Sequence, residues 1–309
     1  MLATIIVVAG GVSSGIERSC RVLMPLLIGL MIFMVLYGAF QRGFGEALSF
    51  VFKPDPHRLQ ASGVLEALGH AFFTLSLGMG AMITYGSYQR SKDDVLEQSF
   101  TIAGLDTGVA LLACLMIFPI IFSYGQLPGQ GAGLVFKSMP LAFAEIGRFG
   151  ILLGILFFGL LGVAALTSAI SLLEVVASYF IDQRGWPRSR AAWALGGAIF
   201  LFAIPSAFSA DPSFAMGSWQ PTFGRSFFDT MDYLASNWLL TLGGFLIAIY
   251  GGWILPKRIR EAEMEGVEPG LIGAWLTLIR YVAPILVVVV LLQKVGLFDV
   301  DELMHAVFN

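Results

Sequence analysis

The chain has 309 residues, of which 57% are hydrophobic and 13% charged, with a formal net charge of -3 and a mean hydropathy of +0.81. These values exclude a soluble globule of ordinary composition, and so small a net charge gives no electrostatic reason to expect a nucleic-acid partner. The fold class they imply is an all-α polytopic membrane protein, with residues 1–309 forming a single transmembrane domain.

Met1 to Gly10 is apolar but too short to cross a bilayer, and it reads as the tail of a helix whose earlier part is missing. No charged n-region with a small-residue cleavage site opens the chain, so no removable signal peptide is expected. About seven complete spans follow, at roughly 17–40, 63–88, 95–124, 142–181, 188–209, 228–255 and 271–295, each with the roughly 20 apolar residues that a hydrocarbon core requires. The fourth is long enough to extend beyond the membrane. Loops are marked by Lys53-Pro-Asp-Pro56, Arg90-Ser-Lys-Asp-Asp94, Gln126 to Gly133, Arg184-Gly-Trp-Pro-Arg188, Asp211-Pro212 and Pro256-Lys-Arg-Ile-Arg260. If Arg18 and Arg21 are cytoplasmic, alternation puts Arg90, Lys92, Arg184, Arg188, Arg190, Lys257, Arg258, Arg260 and Arg280 on the same side, the bias expected of an inner (plasma) membrane protein. The stretch from Ala71 to Tyr88 then runs from outside to inside, and the C-terminus is extracytoplasmic.

The second span has an unusual middle. Gly78-Met79-Gly80 interrupts it, and each glycine costs a helix on the order of 1 kcal/mol relative to alanine. Phe72, Phe73, Thr74 and Ser76 stand just before the glycines. A break there frees backbone groups at membrane depth, which is tolerated where they line a protein cavity and is how many secondary transporters build a site. The alternative is close helix packing through small residues.

In the third span Asp106 lies in Gly104-Leu-Asp-Thr-Gly108, and an ionisable group in a span points to a functional site unless it merely caps the helix end. In the fourth, the Ala164 carbonyl and the Thr167 and Ser168 hydroxyls share one helical face, an oxygen-rich patch suited to a hard cation. Hydroxyls that simply bond back to the preceding turn give the same pattern. Glu174, Asp182, Asp229 and Asp232 are read as solvated helix ends, the last two also favoured by a helix N-terminus. Cys20 and Cys114 lie in or beside apolar spans and give no disulfide or metal signature. His57, His70 and His305 have no metal-ligand spacing, and no nucleophile elbow or phosphate loop occurs, so neither an enzyme nor an organic cofactor is expected.

Phe72-Phe-Thr-Leu-Ser-Leu-Gly-Met-Gly80 with Ile83-Thr-Tyr-Gly-Ser-Tyr88 resembles the neurotransmitter:sodium symporter family, in its bacterial branch of amino-acid transporters. Further similar segments are Gly15-Ile-Glu-Arg18, Leu105-Asp-Thr107, Gly133-Leu-Val-Phe136, Met139-Pro-Leu-Ala-Phe143, Leu166-Thr-Ser168 and Asp229-Thr-Met-Asp232. The resemblance implies a partial LeuT-like inverted-repeat fold, running from the end of the family's fourth helix to its eleventh. It implies sodium as coupling ion, an amino acid or small amine as substrate, and the lipid bilayer as surroundings. Thr74 and Asp106 match ligands of one sodium ion, and Ala164, Thr167 and Ser168 ligands of a second. Phe73, Ser76, Gly80 and Leu172 match substrate-binding positions. Asp232 matches the outer gate, Tyr88 and Asp182 the inner gate, and Gly15 with Pro25 a motif that opens the second sodium site inward. Met79 departs from the phenylalanine of the best-known bacterial relative, which makes a softer pocket. With the first four helices absent, the alternatives are a non-transporting remnant, or a half-protein that needs a polypeptide supplying them.

Overall fold

The computed structural model describes residues 1–53, 60–89, 95–129, 131–209, 219–264, 267–297 and 300. The expected loop residues Pro54 to Pro56, Arg90 to Asp94 and Asp211-Pro212 lie outside the described residues, as do His57, His305 and the C-terminal stretch 301–309. All regular structure among the described residues is helical. That is the economical outcome in lipid, where an α-helix satisfies its backbone donors and acceptors within one segment.

In chain order the main helices are α1 (Leu2–Ala9), α2 (Val12–Ala39), α3 (Phe44–Phe52), α4 (Ala61–Thr74), α5 (Ala81–Gly86), α6 (Val95–Ser123), α7 (Met139–Ile146), α8 (Arg148–Arg184), α9 (Arg188–Ala207), α10 (Phe227–Ile254), α11 (Lys257–Glu263) and α12 (Pro269–Val295). Six of them, α2, α6, α8, α9, α10 and α12, are long and apolar enough to cross a membrane. The remaining expected span, at 63–88, is present but divided into α4 and α5, neither of which is long enough alone. A correction concerns the span predicted at 142–181. It is two helices meeting at Gly147, whose φ of 79° and ψ of -141° turn the chain before α8 begins. The full 37 residues of α8 then run without interruption.

The chain divides into two compact units, one of residues 1–56 and 104–196, the other of residues 57–103 and 197–309. In the first unit, Met31 and Met34 of α2, Met116, Ile120 and Ile121 of α6, Met139 and Phe143 of α7, and Leu153, Phe157 and Leu160 of α8 form one core. A second core joins Ile5 and Val8 of α1 and Ile16 of α2 to Ile170, Leu173 and Ala177 of α8 and to Ala191 and Ala192 of α9. The start of α2, Val12–Glu17, is a wide π-type turn, and Gly15 within it is buried directly against α1. A Cβ at Gly15 would lie 2.0 Å from the Val7 carbonyl oxygen. Pro25 lies inside α2 and is exposed.

In the second unit α4, α10 and α12 pack together, and the contact depends on absent side chains. A Cβ on Gly244 of α10 would meet the Phe72 ring at 2.9 Å, and one on Gly252 would meet Arg280 of α12 at 2.9 Å. Arg280 Nε donates to the Gly252 carbonyl at 2.6 Å, and its guanidinium sits 5.5 Å from the Trp253 ring centre. Gly252 is in a π-type turn at Tyr250–Ile254, which displaces carbonyls from the helical ladder and gives Arg280 an acceptor.

Gly15→Ala should destabilise the chain by about 1–3 kcal/mol, because the atoms in its way are backbone and cannot rotate aside. Gly29→Ala, on the same helix with nothing within 4 Å, should be neutral or slightly stabilising. Thermal unfolding of both variants in detergent would check the pair, and equal effects would contradict the close α1–α2 contact.

Candidate functional site

The second unit contains the broken span. α4 ends with the Ser76 N–H donating to the Phe73 carbonyl at 3.0 Å and the Leu77 N–H to the Phe72 carbonyl at 2.9 Å. That pair of bonds is the Schellman arrangement, in which the residue after the helix takes the left-handed conformation, usually as glycine. Here the residue is Ser76, with φ of 55°, and among the described residues it is the non-glycine with positive φ. The break therefore begins at Leu75, upstream of the glycines that drew attention in the sequence. Gly78 and Gly80 follow with φ of 86° and 80°, and Gly80 opens α5 by accepting from the Thr84 N–H at 2.9 Å.

Gly78 is also where the non-helical segment rests on α10. A Cβ there would lie 2.3 Å from the Leu240 oxygen and 2.8 Å from the Gly244 nitrogen, and one on Gly243 would lie 2.2 Å from the Gly78 oxygen. Backbone meets backbone over one turn of α10, a separation open only to glycine. Ser76, Gly78 and Gly80 line a cleft of about 180 Å³ with Phe72, Gly244 and Ile279. Thr74 and Phe73 are exposed, Phe73 to 50%, and the Thr74 hydroxyl makes a long bond to the Ala71 carbonyl at 3.4 Å. The last carbonyls of α4 carry the partial negative charge of a helix C-terminus, which favours a cation. Tyr88, just past α5, is partly exposed with its ring centre 6.1 Å from that of Tyr85.

At the start of α10, Ser226 caps the helix by accepting from the Asp229 N–H at 3.1 Å, and its hydroxyl donates to the Asp229 carboxylate at 2.6 Å. Asp229 is thus the helix-end carboxylate expected from the sequence. Asp232 is exposed, accepts from the Ser236 hydroxyl at 3.2 Å, and lines an open polar cleft of about 380 Å³ with Arg225, Asp229, Tyr233 and Asn237.

In the first unit, the Thr167 hydroxyl donates to the Ala164 carbonyl at 2.9 Å. This is the back-bonding geometry, and it also brings two of the three proposed ligand oxygens together. Thr167 is buried, whereas Ser168 is exposed and Leu172 is 47% exposed. Asp106 is half-buried about three turns inside α6, which removes the helix-end reading of this residue. Asp182 is exposed in the last turn of α8. Thr74 and Tyr88 belong to the second unit, and Asp106 and Asp182 to the first.

Glu174 departs most from expectation. Instead of a solvated helix end it is 0% exposed in α8, paired with Arg188 at the start of α9. Arg188 Nε also donates to the Val8 carbonyl of α1 at 2.8 Å. The available signal was the spacing: Glu174 stands seven residues beyond Thr167, on the same face of an apolar helix.

Residues 1–308 match the description "Sodium:neurotransmitter symporter family". The chain belongs to that family. It is 34% identical over 306 residues to the uncharacterized sodium-dependent transporter YhdH of Bacillus subtilis, covering 97% of this chain and 66% of the relative. An uncharacterized sodium-dependent transporter of Haemophilus influenzae is 32% identical over 298 residues, covering 95% of this chain and 64% of the relative. Among solved structures, MhsT in complex with L-phenylalanine is similar with 44% identity and a TM-score of 0.83, covering 95% of this chain and 66% of that one. The chain thus spans about two thirds of the length of these relatives. Family and helices together make it a multi-pass membrane protein.

Gly78→Ala should destabilise the second unit by at least about 1–3 kcal/mol, since it combines a positive φ with a backbone clash. Gly86→Ala, at the end of α5 with nothing within 4 Å, should be tolerated. Unfolding curves of the two variants would decide, and a tolerated Gly78→Ala would contradict the contact with α10.

Proposed function

We propose that this chain forms part of a sodium-coupled symporter of amino acids or related small amines, in a partial inverted-repeat fold. The observation that carries the reading is the membrane helix broken between Thr74 and Ala81, held open by a Schellman turn at Ser76 and by glycine contacts on α10. A helix interrupted at membrane depth offers carbonyls and hydroxyls to an ion and amides to a carboxylate.

Thr74 and Asp106 hold one sodium ion, and the Ala164 carbonyl with the Thr167 and Ser168 hydroxyls hold the second. Both sets present oxygen, the ligand a hard cation prefers. The Thr167 hydroxyl already gives its proton to Ala164, so its lone pairs remain available to an ion. Phe73 covers the substrate, Ser76 and Gly80 contact its polar end, and Leu172 lines the apolar side. The solved relative holds L-phenylalanine, which favours an amino-acid substrate, and Met79 makes the pocket adaptable. Asp232 belongs to the outer gate, and Tyr88 and Asp182 to the inner one. The glycine-tight, π-type start of α2 at Gly15, with Pro25 further on, is the element whose loosening admits water to the second ion. Coupling follows if sodium binds the outward and inward states with different free energies. Asp106 supplies the negative charge that chloride would otherwise bring, so the anion is not required. The positive-inside bias puts the C-terminus outside the cell.

The purified chain in lipid nanodiscs should bind a radiolabelled apolar amino acid in sodium but not in potassium, and replacing chloride by gluconate should make no difference. Thr74→Ala or Asp106→Ala should weaken the sodium dependence on the order of tenfold, the consequence of losing one oxygen ligand in a dry site. Binding that is indifferent to sodium would overturn the reading.

A further inference from the structure

Glu174 has no part in the sites described above, yet a fully enclosed carboxylate in an apolar span is costly and points to a pathway for ions. Thr167, Ser171, Glu174 and Ser178 recur at i, i+4, i+7 and i+11, which places them on one face of α8. Together they extend roughly 16 Å from the proposed second sodium position toward the Arg184 end. Each hydroxyl on this face gives its proton to a backbone carbonyl: Thr167 to Ala164 at 2.9 Å, Ser171 to Thr167 at 3.2 Å and Ser178 to Val175 at 2.9 Å. The lone pairs of all three oxygens are thereby left as acceptors, the lining a cation requires and an anion or apolar ligand does not.

Arg188 already brings a cation to this face. Its Nη2 pairs with Glu174 Oε2, and its Nε holds the Val8 carbonyl at the end of α1. For a sodium ion to take the carboxylate, the guanidinium must leave, and with it the link between α9 and α1. Apolar residues would hold the helices together as well as a buried pair or better, so packing alone does not account for the carboxylate.

We propose that Glu174 is a transient sodium site about two turns below Thr167, reached along Ser171, with Arg188 as the tethered cation that the ion displaces. This rests on the reading that Ala164, Thr167 and Ser168 take sodium. Ion release and loosening of the α1 contact then become one event, since the same arginine holds both.

Equilibrium binding of radioactive sodium to the purified 309-residue chain in nanodiscs tests this with R188Q, E174Q/R188Q and T167A. R188Q should retain about one more sodium ion per chain than E174Q/R188Q, because it leaves the carboxylate without its internal cation. Equal retention by the two would overturn the proposal. If R188Q does not assemble, R188K takes its place, since a lysine keeps the charge but cannot hold Glu174 and Val8 together. Sodium should then raise the unfolding temperature of R188K more than that of E174Q/R188K, and equal rises would likewise overturn it. Unchanged sodium binding in T167A would remove the upper site instead, and would leave the R188Q comparison standing by itself.

Discussion

A peptide group that leaves its helix inside a membrane must find a partner in the protein, and the stretch from Leu75 to Gly80 is arranged around that requirement. Two carbonyls near the end of α4 are taken by the N–H groups of Ser76 and Leu77, and the segment then crosses α10 at backbone contact distance. Both devices need unusual residues: a serine in left-handed conformation, and glycines at 78, 243 and 244. Helix α10 makes room with Gly243 for the Gly78 carbonyl and with Gly244 for the Phe72 ring just before the break. Its surface is shaped by the break it supports, so the fold of the second unit and the placement of Thr74, Ser76 and Gly80 are one structural problem.

Much of this was legible in the sequence, for physical reasons. Apolar runs of bilayer length, separated by proline, glycine and charge clusters, locate the helices to within a few residues, as at α6 and α9. The weak middle of the second span could be read from Gly78-Met-Gly80, because glycine is penalised in a helix whatever surrounds it. Where the break starts could not, since it depends on Ser76 accepting a conformation that sequence alone does not assign to serine. The division at Gly147 was hidden for a similar reason. Between α7 and α8 the apolar run is interrupted only by Glu145 and Arg148, and the backbone angles of Gly147 separate the two helices.

Glu174 illustrates the other limit. Read along the chain, it lies between the proposed ion-binding patch and a basic loop, and a solvated helix end is the simplest expectation. Its actual partner, Arg188, is brought to it by the return of α9 alongside α8, with α1 completing the arrangement through Val8. Tertiary pairing of this kind leaves no local signature beyond a helical period. The same holds for Arg280, whose acceptor is a carbonyl displaced by a π-type turn on a different helix. In both cases a charge within an apolar helix is satisfied by a neighbouring helix, and in both the partner becomes visible only in three dimensions.

The central proposal is that the interrupted helix and the oxygen face of α8 each respond to sodium and an amino acid. Amide hydrogen exchange on the chain in nanodiscs, with and without both ligands, tests it most directly. Exchange should slow at 75–82 and around 164–172 when sodium and the amino acid are present together, and less with either alone. Identical exchange in all conditions at both stretches would contradict the account.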